Sequence, residues 1–367
     1  MKIIKKGLLL ALCLLLVLSL IPLSACTGDT VGGDANGGVQ GGTNGNGTAN
    51  IQPKNRLWYE YFDTVCVVYD YSGMSSDKFN EVTDFIENEL KACHELYDIY
   101  NEYSGINNLA TVNKNAGTAI KVDSRIIDLL TFSKEMYDVT GGEVNIAMGA
   151  VLVQWHNARE AAKKNPSSAK IPSMTSLTEA NKHTDINSIV IDKANSTVKI
   201  TDAEARIDVG AIAKGYTAER IARLLIDRGI TSFVLDLGGN LRAIGTKVDG
   251  SGWNTGIKNP NPSASSQYAR ILTLKNASLV TSGTYERYFT VNGTRYHHII
   301  DCDTLMPSNR YASVSIHTES SAVADALSTA VFNMTEDEIN ALVQSVSDVE
   351  ITVIDNAGNI KIYGARK

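Results

Sequence analysis

The dipeptide Asn292-Gly293 is the strongest local signal for the fold of this 367-residue chain. It separates two runs of strand-forming residues, 285–291 and 294–300, and Asn-Gly at such a place favours the tight turn of an antiparallel hairpin. A second strand pair is predicted at 188–191 and 197–200. Further strands are predicted at 58–71, 232–237, 253–258, 270–274, 312–317, 351–354 and 360–363. Strands joined by hairpins predict an α+β fold with a largely antiparallel sheet and packed helices.

Several segments have the apolar spacing of amphipathic helices. They cover residues 77–100, 122–137, 216–228, 321–334 and 336–347. Three other segments lack a clear period: 104–117 is predicted to be a loop or a broken helix, 141–157 to be irregular, and 163–182 to be a surface excursion. We find no internal repeat and no linker after about residue 54, so residues 54–367 are predicted to form one domain.

Residues 1–25 have the order of a secretory signal. Three lysines between positions 2 and 6 precede the apolar run 8–20, and small residues lead to Cys26. The sequence Leu23-Ser24-Ala25-Cys26 resembles the bacterial lipobox, which implies that Cys26 becomes the lipidated first residue of the mature protein. A single membrane-spanning helix is the alternative, because the apolar run is nearly long enough.

Residues 26–53 are rich in Gly, Asn and Thr and contain almost no apolar side chains. Such a segment cannot bury a core, so it is predicted to be a disordered tether between Cys26 and the folded domain. Together, signal and tether predict an extracytoplasmic protein that a lipid anchor holds at the cell membrane.

Net charge and cysteine content exclude some classes of protein. The formal net charge is −6 and no basic stripe is present, so a nucleic-acid partner is not expected. Cys66, Cys93 and Cys302 remain after the signal and the lipobox, an odd number without metal-type spacing. We therefore expect buried free thiols, while one disulfide among them stays open.

The stretch 206–245 combines a glycine-bounded loop, a helix, a strand and a Gly-Gly turn. Gly210 and Gly215 enclose the loop, which contains Lys214. Free backbone N–H groups at a helix start attract phosphate, and a lysine adds a full positive charge. The spacing matches no known phosphate-binding motif. A plain strand–loop–helix connection with a surface lysine therefore stays open.

Asp325 and Thr329 are four residues apart on the predicted helix 321–334, so they share one face. Their neighbours are apolar, and a buried carboxylate needs a partner. A carboxylate and a hydroxyl are oxygen ligands that suit a hard cation such as Mg²⁺. Alternatively, Asp325 bonds nearby backbone amides while Thr329 bonds its own helix.

His297 and His298 are adjacent on a predicted strand and therefore point to opposite faces. One of them can face a cleft and take a proton near neutral pH, or both can be structural. Asp301 ends the same strand and has a turn role as its alternative. The small polar segment 281–284 is predicted to be a loop that binds a ligand or forms a tight turn.

Taken together, these pieces resemble the ApbE family of FAD:protein FMN transferases. The resemblance runs from about Phe62 to the region of Phe332. It depends on the order and spacing of five segments: Asp208–Tyr216 (DVGAIAKGY), Gly238-Gly239-Asn240, Thr281-Ser282-Gly283, His298–Asp301 (HIID) and Asp325–Thr329 (DALST).

The resemblance implies an ApbE-like, T-fold-like catalytic domain and a defined reaction. A threonine hydroxyl of an acceptor protein attacks the pyrophosphate of FAD, FMN stays on the acceptor as a phosphoester, and AMP leaves. Such a transfer depends on positioning and on neutralisation of the phosphoryl charge. Mg²⁺ is the implied cofactor, and FAD is the substrate.

The resemblance also implies roles for individual residues. Asp325 and Thr329 would hold Mg²⁺ together with the backbone carbonyl of Ala211. His298 would take the proton of the acceptor threonine, Lys214 would assist near the phosphates, and His297 is left as structural. The residues implied to bind FAD are Gly210, Lys214, Gly238, Gly239, Ser282, Gly283, Thr284 and Asp301.

Two segments depart from the family pattern. The family usually continues from the histidine strand with Asp-Pro-x-Thr-Gly-x-Pro, whereas this chain has Asp-Cys-Asp-Thr-Leu-Met-Pro at 301–307. Because a proline and a glycine are missing, the loop geometry of the family is not carried over to 301–307. The Phe-Asp that usually follows Gly141-Gly142 is replaced at 143–145 by Glu-Val-Asn, so no role of that aspartate is carried over.

Two other functions remain open at the level of sequence. A Mg²⁺-dependent FAD pyrophosphatase would use the same site with water as the nucleophile and would release FMN and AMP. A non-enzymatic flavin- or solute-binding lipoprotein would share the signal, Cys26 and the tether. That protein would have two α/β lobes and no metal on Asp325.

Overall fold

A computed structural model of the protein describes residues 53–366. The predicted signal, Cys26 and nearly all of the tether lie outside the described residues. None of the helices between residues 53 and 366 has the length and apolar character required to cross a membrane.

The described residues form both strands and helices. The strands are β1 Lys54–Trp58, β2 Cys66–Asp70, β3 Ile120–Lys121, β4 Ile189–Asp192, β5 Thr197–Ile200, β6 Phe233–Leu237, β7 Asn240–Ile244, β8 Trp253–Lys258, β9 Tyr268–Leu274, β10 Ala277–Gly283, β11 Tyr288–Val291, β12 Thr294–His297, β13 Tyr311–Thr318, β14 Glu350–Asp355 and β15 Ile360–Gly364. The helices are α1 Ser76–Tyr97, α2 Leu109–Lys114, α3 Ser124–Val139, α4 Gly149–Lys164, α5 Met174–Asn181, α6 Ala213–Ile226, α7 Ser321–Asn333 and α8 Glu336–Ser345.

An eight-stranded sheet is the centre of the fold, with the strand order β1-β2-β6-β7-β10-β13-β14-β15. Each pair of neighbouring strands in it is antiparallel. Three smaller antiparallel sheets, β3-β5-β4, β8-β9 and β11-β12, complete the strands. The predicted α+β fold with a largely antiparallel sheet is confirmed.

Helices α6 and α7 lie against one face of this sheet, and their apolar side chains enter its core. Ala218, Ile221 and Leu225 of α6 pack with Phe233 and Leu235 of β6. The α7 side chains pack into a second cluster with β13 and β14; they are Ala324, Ala326, Leu327, Ala330, Val331 and Phe332. The sheet therefore holds the two helices side by side.

The Asn292-Gly293 hairpin forms as predicted, between β11 and β12. Asn292 has φ 50° and Gly293 has φ 82°, which is the pair of positive angles that a type I′ turn requires. The strand pair β4–β5 is also confirmed. Cys66 and Cys93 are buried free thiols, as expected, whereas Cys302 is free but only half-buried.

The prediction that residues 141–157 are irregular is wrong for their second half, because α4 begins at Gly149. No side chain caps its first turn. Instead, Met148 forms a bridge to Arg206, and a Cβ at Gly149 would lie 2.5 Å from the Arg206 carbonyl oxygen. A contact between distant segments therefore fixes this helix start, and no local signal marks it.

Candidate active site

The predicted site residues meet at one end of the eight-stranded sheet, which we call the cleft end. At this end β6 finishes at Leu237 and β10 finishes at Gly283. Because α6 runs back along the sheet toward the start of β6, the first turn of α6 lies here as well. The cleft end thus collects turns, strand ends and a helix N-terminus, which are places where backbone groups are available to a ligand.

Lys214 lies in the first turn of α6, not in a loop that Gly210 and Gly215 enclose, so that prediction is wrong. Its ammonium group is 3.8 Å from Oδ1 of Asp325. The backbone N–H of Gly215 donates to Oδ2 of Asp325, at 2.7 Å. One of the orphan amides of the α6 N-terminus is therefore satisfied by the carboxylate of α7.

Gly215 allows this contact because it has no side chain. A Cβ at this position would lie 2.3 Å from the Ser321 carbonyl oxygen and 2.4 Å from Cβ of Asp325. One turn later on α6 and one turn earlier on α7, the carboxylate of Glu219 accepts from the backbone N–H of Ser321, at 3.0 Å. The same carboxylate accepts from Nε of the buried Arg242 on β7, at 3.1 Å. Two contacts, one turn apart, therefore set the separation of α6 and α7.

The residues around Asp325 have the chemistry that a magnesium ion needs. Asp325 is 4% exposed, and Thr329 follows one turn later on the same helix, half-buried. Ala211 lies in the turn just before α6. A carboxylate, a hydroxyl and a backbone carbonyl are hard oxygen donors. This set of donors fits Mg²⁺. Asp325 also accepts from the backbone N–H of Gly215, which is the structural alternative that the sequence left open.

The Gly238-Gly239 turn joins β6 to β7, as predicted. Both glycines have positive φ, 63° and 91°, and a Cβ at Gly238 would lie 2.1 Å from Oγ1 of Thr64. The N–H of Gly239 donates to Oδ1 of Asp236, at 2.8 Å. Burial raises the pKa of Asp236 to about 6. The turn is thus closed by its own carboxylate and packed against the segment that leads into β2.

Residues 281–283 belong to strand β10, so the prediction of a loop at 281–284 is wrong for these three. Oγ of Ser282 lies 2.8 Å from Oγ of Ser328, which binds the end of β10 to α7 beside Thr329. Gly283 is buried, and a Cβ there would lie 2.6 Å from the ring of Tyr285. The N–H of Thr284 donates to the Ala312 carbonyl at 3.1 Å. The segment forms a wall of the cleft.

His297 and His298 point to opposite faces, as predicted. His297 is buried, and its Nε2 lies 2.6 Å from the Ser308 carbonyl, so it is structural. The ring of His298 is accessible to solvent but protein surrounds it on several sides. This surrounding protein, and then the charges of Arg287, His297, Arg159 and Lys214, lower the pKa of His298. Its neutral form, which can accept a proton, is therefore the one present near neutral pH.

Asp301 uses its carboxylate inside its own turn. Oδ1 accepts from the backbone N–H groups of Asp303 and Thr304, at 3.0 and 2.8 Å. Asp301 is also buried. This geometry supports the turn role that the sequence left open, and its implied contact with FAD stays a prediction.

Three polar side chains of the cleft had no assigned role in the sequence analysis. His156 and Arg159 lie on α4, with Nη2 of Arg159 at 3.2 Å from Nδ1 of His156, and Arg287 precedes β11. Burial raises the pKa of the Asp208 carboxyl group, and the charges of these three side chains partly oppose that rise. His156 and Arg159 are three residues apart and share one face of α4, and this spacing could have shown both residues, had α4 been predicted.

Solved structures with the same fold share most of this architecture. The crystal structure of the ApbE protein from Thermotoga maritima superposes with a TM-score of 0.74 and is 26% identical, covering 85% of this chain and 97% of that one. The flavin transferase ApbE from Vibrio cholerae has a TM-score of 0.69 at 21% identity, with 86% and 98% covered. The fold is therefore that of the ApbE structures.

Sequence comparison leads to the same family. The ApbE family profile matches residues 62–353. A protein of Treponema pallidum named FAD:protein FMN transferase is 34% identical over 67% of this chain and 70% of its own length. A protein of the same name from Haemophilus influenzae is 28% identical over 72% and 75%. This chain belongs to the ApbE family.

Proposed function

We propose that this chain is an FAD:protein FMN transferase, which attaches FMN through a phosphoester to a threonine of an acceptor protein. The observation that carries the proposal is the 3.8 Å approach of Lys214 to Asp325, with His298 near enough for the charge of Lys214 to add to the effect of burial, which lowers the pKa of His298. A cation, a buried carboxylate and a neutral base in one cleft suit a phosphoryl transfer, which needs positioning and charge neutralisation more than covalent chemistry. The names of the relatives support the same reaction.

The reaction forms one bond and breaks one bond at phosphorus. The acceptor threonine oxygen bonds to the phosphorus of the FMN half of FAD, and the bond from that phosphorus to the bridging oxygen breaks. The pair of electrons leaves with AMP. His298 takes the hydroxyl proton at an imidazole nitrogen, for which its lowered pKa keeps the ring neutral. Lys214 faces the negative charge that develops on the phosphoryl oxygens.

Mg²⁺ is the proposed cofactor, and Asp325, Thr329 and the carbonyl of Ala211 would hold it. When bound there, a magnesium ion supplies Lewis-acid stabilisation of phosphate oxygens. The chain's own contribution is to fix its donors: the N–H of Gly215 orients the Asp325 carboxylate, and the Ser282–Ser328 contact orients the last turn before Thr329.

The proposed location is outside the cytoplasm, with Cys26 lipidated and inserted in the membrane. The order of basic, apolar and small residues before Cys26 supports this. The acceptor would then be a protein, or a domain of a membrane complex, on the same side of that membrane.

The test is incubation of the full chain with FAD and Mg²⁺, with and without a threonine-bearing acceptor domain. We expect the acceptor to gain the mass of FMN and AMP to appear in equal amount. Release of AMP and free FMN at the same rate without acceptor would make the protein a pyrophosphatase instead. FAD bound intact, with neither product, would leave a flavin-binding lipoprotein.

Two substitutions separate the roles of metal and base. Asp325→Ala should no longer bind Mn²⁺, which electron paramagnetic resonance can measure. Its turnover rate should also fall at least about a hundredfold. His298→Ala should lose turnover while it retains Mn²⁺ and FAD. His183→Ala is the matched control, since His183 pairs with Asp202 near the three-stranded sheet. Full turnover of the His298 variant would reject it as the base.

A further inference from the structure

Strand β1 begins, at Lys54, at the end of the sheet opposite the candidate active site. In the strand register Lys54 lies beside Asp70, and Asp70 lies beside Phe233. This end, which we call the Lys54 end, is thus where β1 and β6 both begin. Helix α6 covers the same distance in reverse, 14 residues or about 20 Å, from Lys214 to the loop before β6.

An open cleft of about 580 Å³ lies at the Lys54 end. Its lining comes from the loops that follow β2 and β7 and that precede β6 and β10. Thr231, Thr246, Lys247 and Lys275 are among the lining residues, together with Ser72, whose hydroxyl already donates to Oδ1 of Asp70 at 2.6 Å. Hydroxyl and ammonium donors around an open cleft suit a phosphate group that arrives from solvent.

The two lysines carry charge that the described part of the chain balances only in part, since hydrogen bonds from Ser251, and then the charge of Lys247, lower the pKa of Asp249. Neither ammonium group forms an ion pair within residues 53–366; Lys247 lies 5.9 Å from the ring centre of Tyr71. Three carboxylates are near, and the first, Asp70, accepts from the N–H and the hydroxyl of Ser72. Glu319 accepts from Asn276 at 3.1 Å, and Asp249 accepts from the hydroxyl and N–H of Ser251. Since the whole chain is acidic, with a formal net charge of −6, an anionic surface repels most of the body and favours contact with this end.

An apolar tip stands beside the lysines. Val248 is 64% exposed, the largest exposed fraction among the large apolar side chains of residues 53–366. Its loop is fixed, because the N–H of Gly250 donates to the Lys247 carbonyl and the N–H of Lys247 donates to the Ser251 carbonyl, both at 2.9 Å. An exposed apolar side chain next to lysines can enter the headgroup layer while the ammonium groups stay at the phosphates.

We propose that the Lys54 end docks on the headgroup phosphates of anionic phospholipids. Lys247 and Lys275 contact the phosphates, and Val248 enters the interfacial layer. The inference rests on the proposed lipid anchor at Cys26, which keeps the body at high local concentration over the membrane, so that weak contacts suffice. Its consequence is orientation: the candidate active site faces away from the membrane, toward an acceptor protein.

The experiment uses the full lipidated chain on vesicles of phosphatidylcholine, with or without phosphatidylglycerol. Flotation of the protein with both kinds of vesicle reports the anchor. Acetylation of individual lysines, followed by mass spectrometry, reports the docked surface. We expect Lys247 and Lys275 to react roughly fivefold more slowly on the phosphatidylglycerol vesicles. The exposed Lys121 and Lys193 should react equally on both.

A charge reversal tests whether the two lysines act together. Lys247→Glu should remove the protection of Lys275, whereas the control Lys121→Glu should leave it unchanged, and neither should change FAD turnover with a soluble acceptor. Equal acetylation of Lys275 on both vesicles, in a wild-type protein that floats, would overturn the docking site alone. Failure of the wild type to float would overturn the anchor, and this inference with it.

Discussion

Two regions support the candidate active site: the crossing of α6 and α7, and the loop 301–307. They differ in whether backbone or side-chain contacts fix their shape. At the crossing, the contacts involve backbone: the N–H of Gly215 meets Asp325, and the Ser321 carbonyl leaves no space for a Cβ at Gly215. In the loop, the packing of one side chain fixes the shape. Leu305 stands where the family usually has glycine, and it has φ 59°.

The loop keeps its shape because Leu305 is buried although its backbone is unfavourable. Its side chain is 4% exposed and packs with Trp155 of α4. The indole N–H of Trp155 donates to the Leu305 carbonyl at 3.0 Å, and the Leu305 N–H donates to the Asp301 carbonyl at 2.9 Å. Side-chain packing can replace a glycine in a loop, whereas a backbone-to-backbone crossing admits no replacement. Packing of Leu305 thus gives the loop 301–307 a defined shape without a glycine at this position.

The largest effect is expected from a single methyl group at the crossing. Gly215→Ala should lower the free energy of unfolding by about 3 kcal/mol, because the new Cβ overlaps a backbone oxygen that cannot move without α7. Turnover should fall with it, since Asp325 moves away from Lys214. Chemical denaturation and FAD turnover measure the two effects.

Gly210→Ala is the matched control for stability. The nearest atom to a Cβ at Gly210 is an oxygen of the flexible Asp208 side chain, at 3.1 Å, so this variant should unfold within about 1 kcal/mol of the wild type. If Gly215→Ala were as stable as Gly210→Ala, the crossing would be adaptable and the contrast with the loop would disappear.

The loop should give an intermediate effect with an unusual order. Leu305→Ala loses buried apolar contact and should cost about 2 kcal/mol. Leu305→Gly loses the same contact but removes the strain of a positive φ, which is worth about 1 kcal/mol. The glycine variant should therefore be the more stable of the two, as thermal unfolding can measure. The reverse order would mean that the backbone at 305 stores no strain.

The smallest effect is expected from removal of the Glu143 charge, which lies beside the loop 301–307. Burial, followed by the charges of Asp301 and Asp303, raises the pKa of Glu143 from 4.5 to about 7. Since the folded state binds this proton more tightly, protonation stabilises the fold fully below pH 4.5, and that stabilisation is lost as the pH rises through 7. Glu143→Gln should accordingly raise the melting temperature at pH 8 by on the order of 2 °C and leave it unchanged at pH 4. An equal gain at both values would point to a cause other than charge.

Much of the fold was predictable because its signals are local. Asn292-Gly293 set a turn whose angles depend on those two residues, and the apolar period of 321–334 matched α7 to within one residue. The start of α4 was not predictable, since it depends on Gly149 fitting against Arg206. For the same reason His156 and Arg159, which α4 brings to the cleft, were missed.

By itself, the sequence determined the α+β class, the Asn292-Gly293 hairpin, the helix that is α7, the opposite faces of His297 and His298, and the motif residues that identify the family. Strand β7 and the helices α4 and α5 were not predicted. It could not determine that Lys214 belongs to a helix, or that its ammonium group meets Asp325. Gly215 and Asp325 are 110 residues apart, and no local rule acts over such a separation. Only the packing of α6 and α7 on a common sheet places these groups together, because the absence of a Cβ at one position decides how closely two helices can approach.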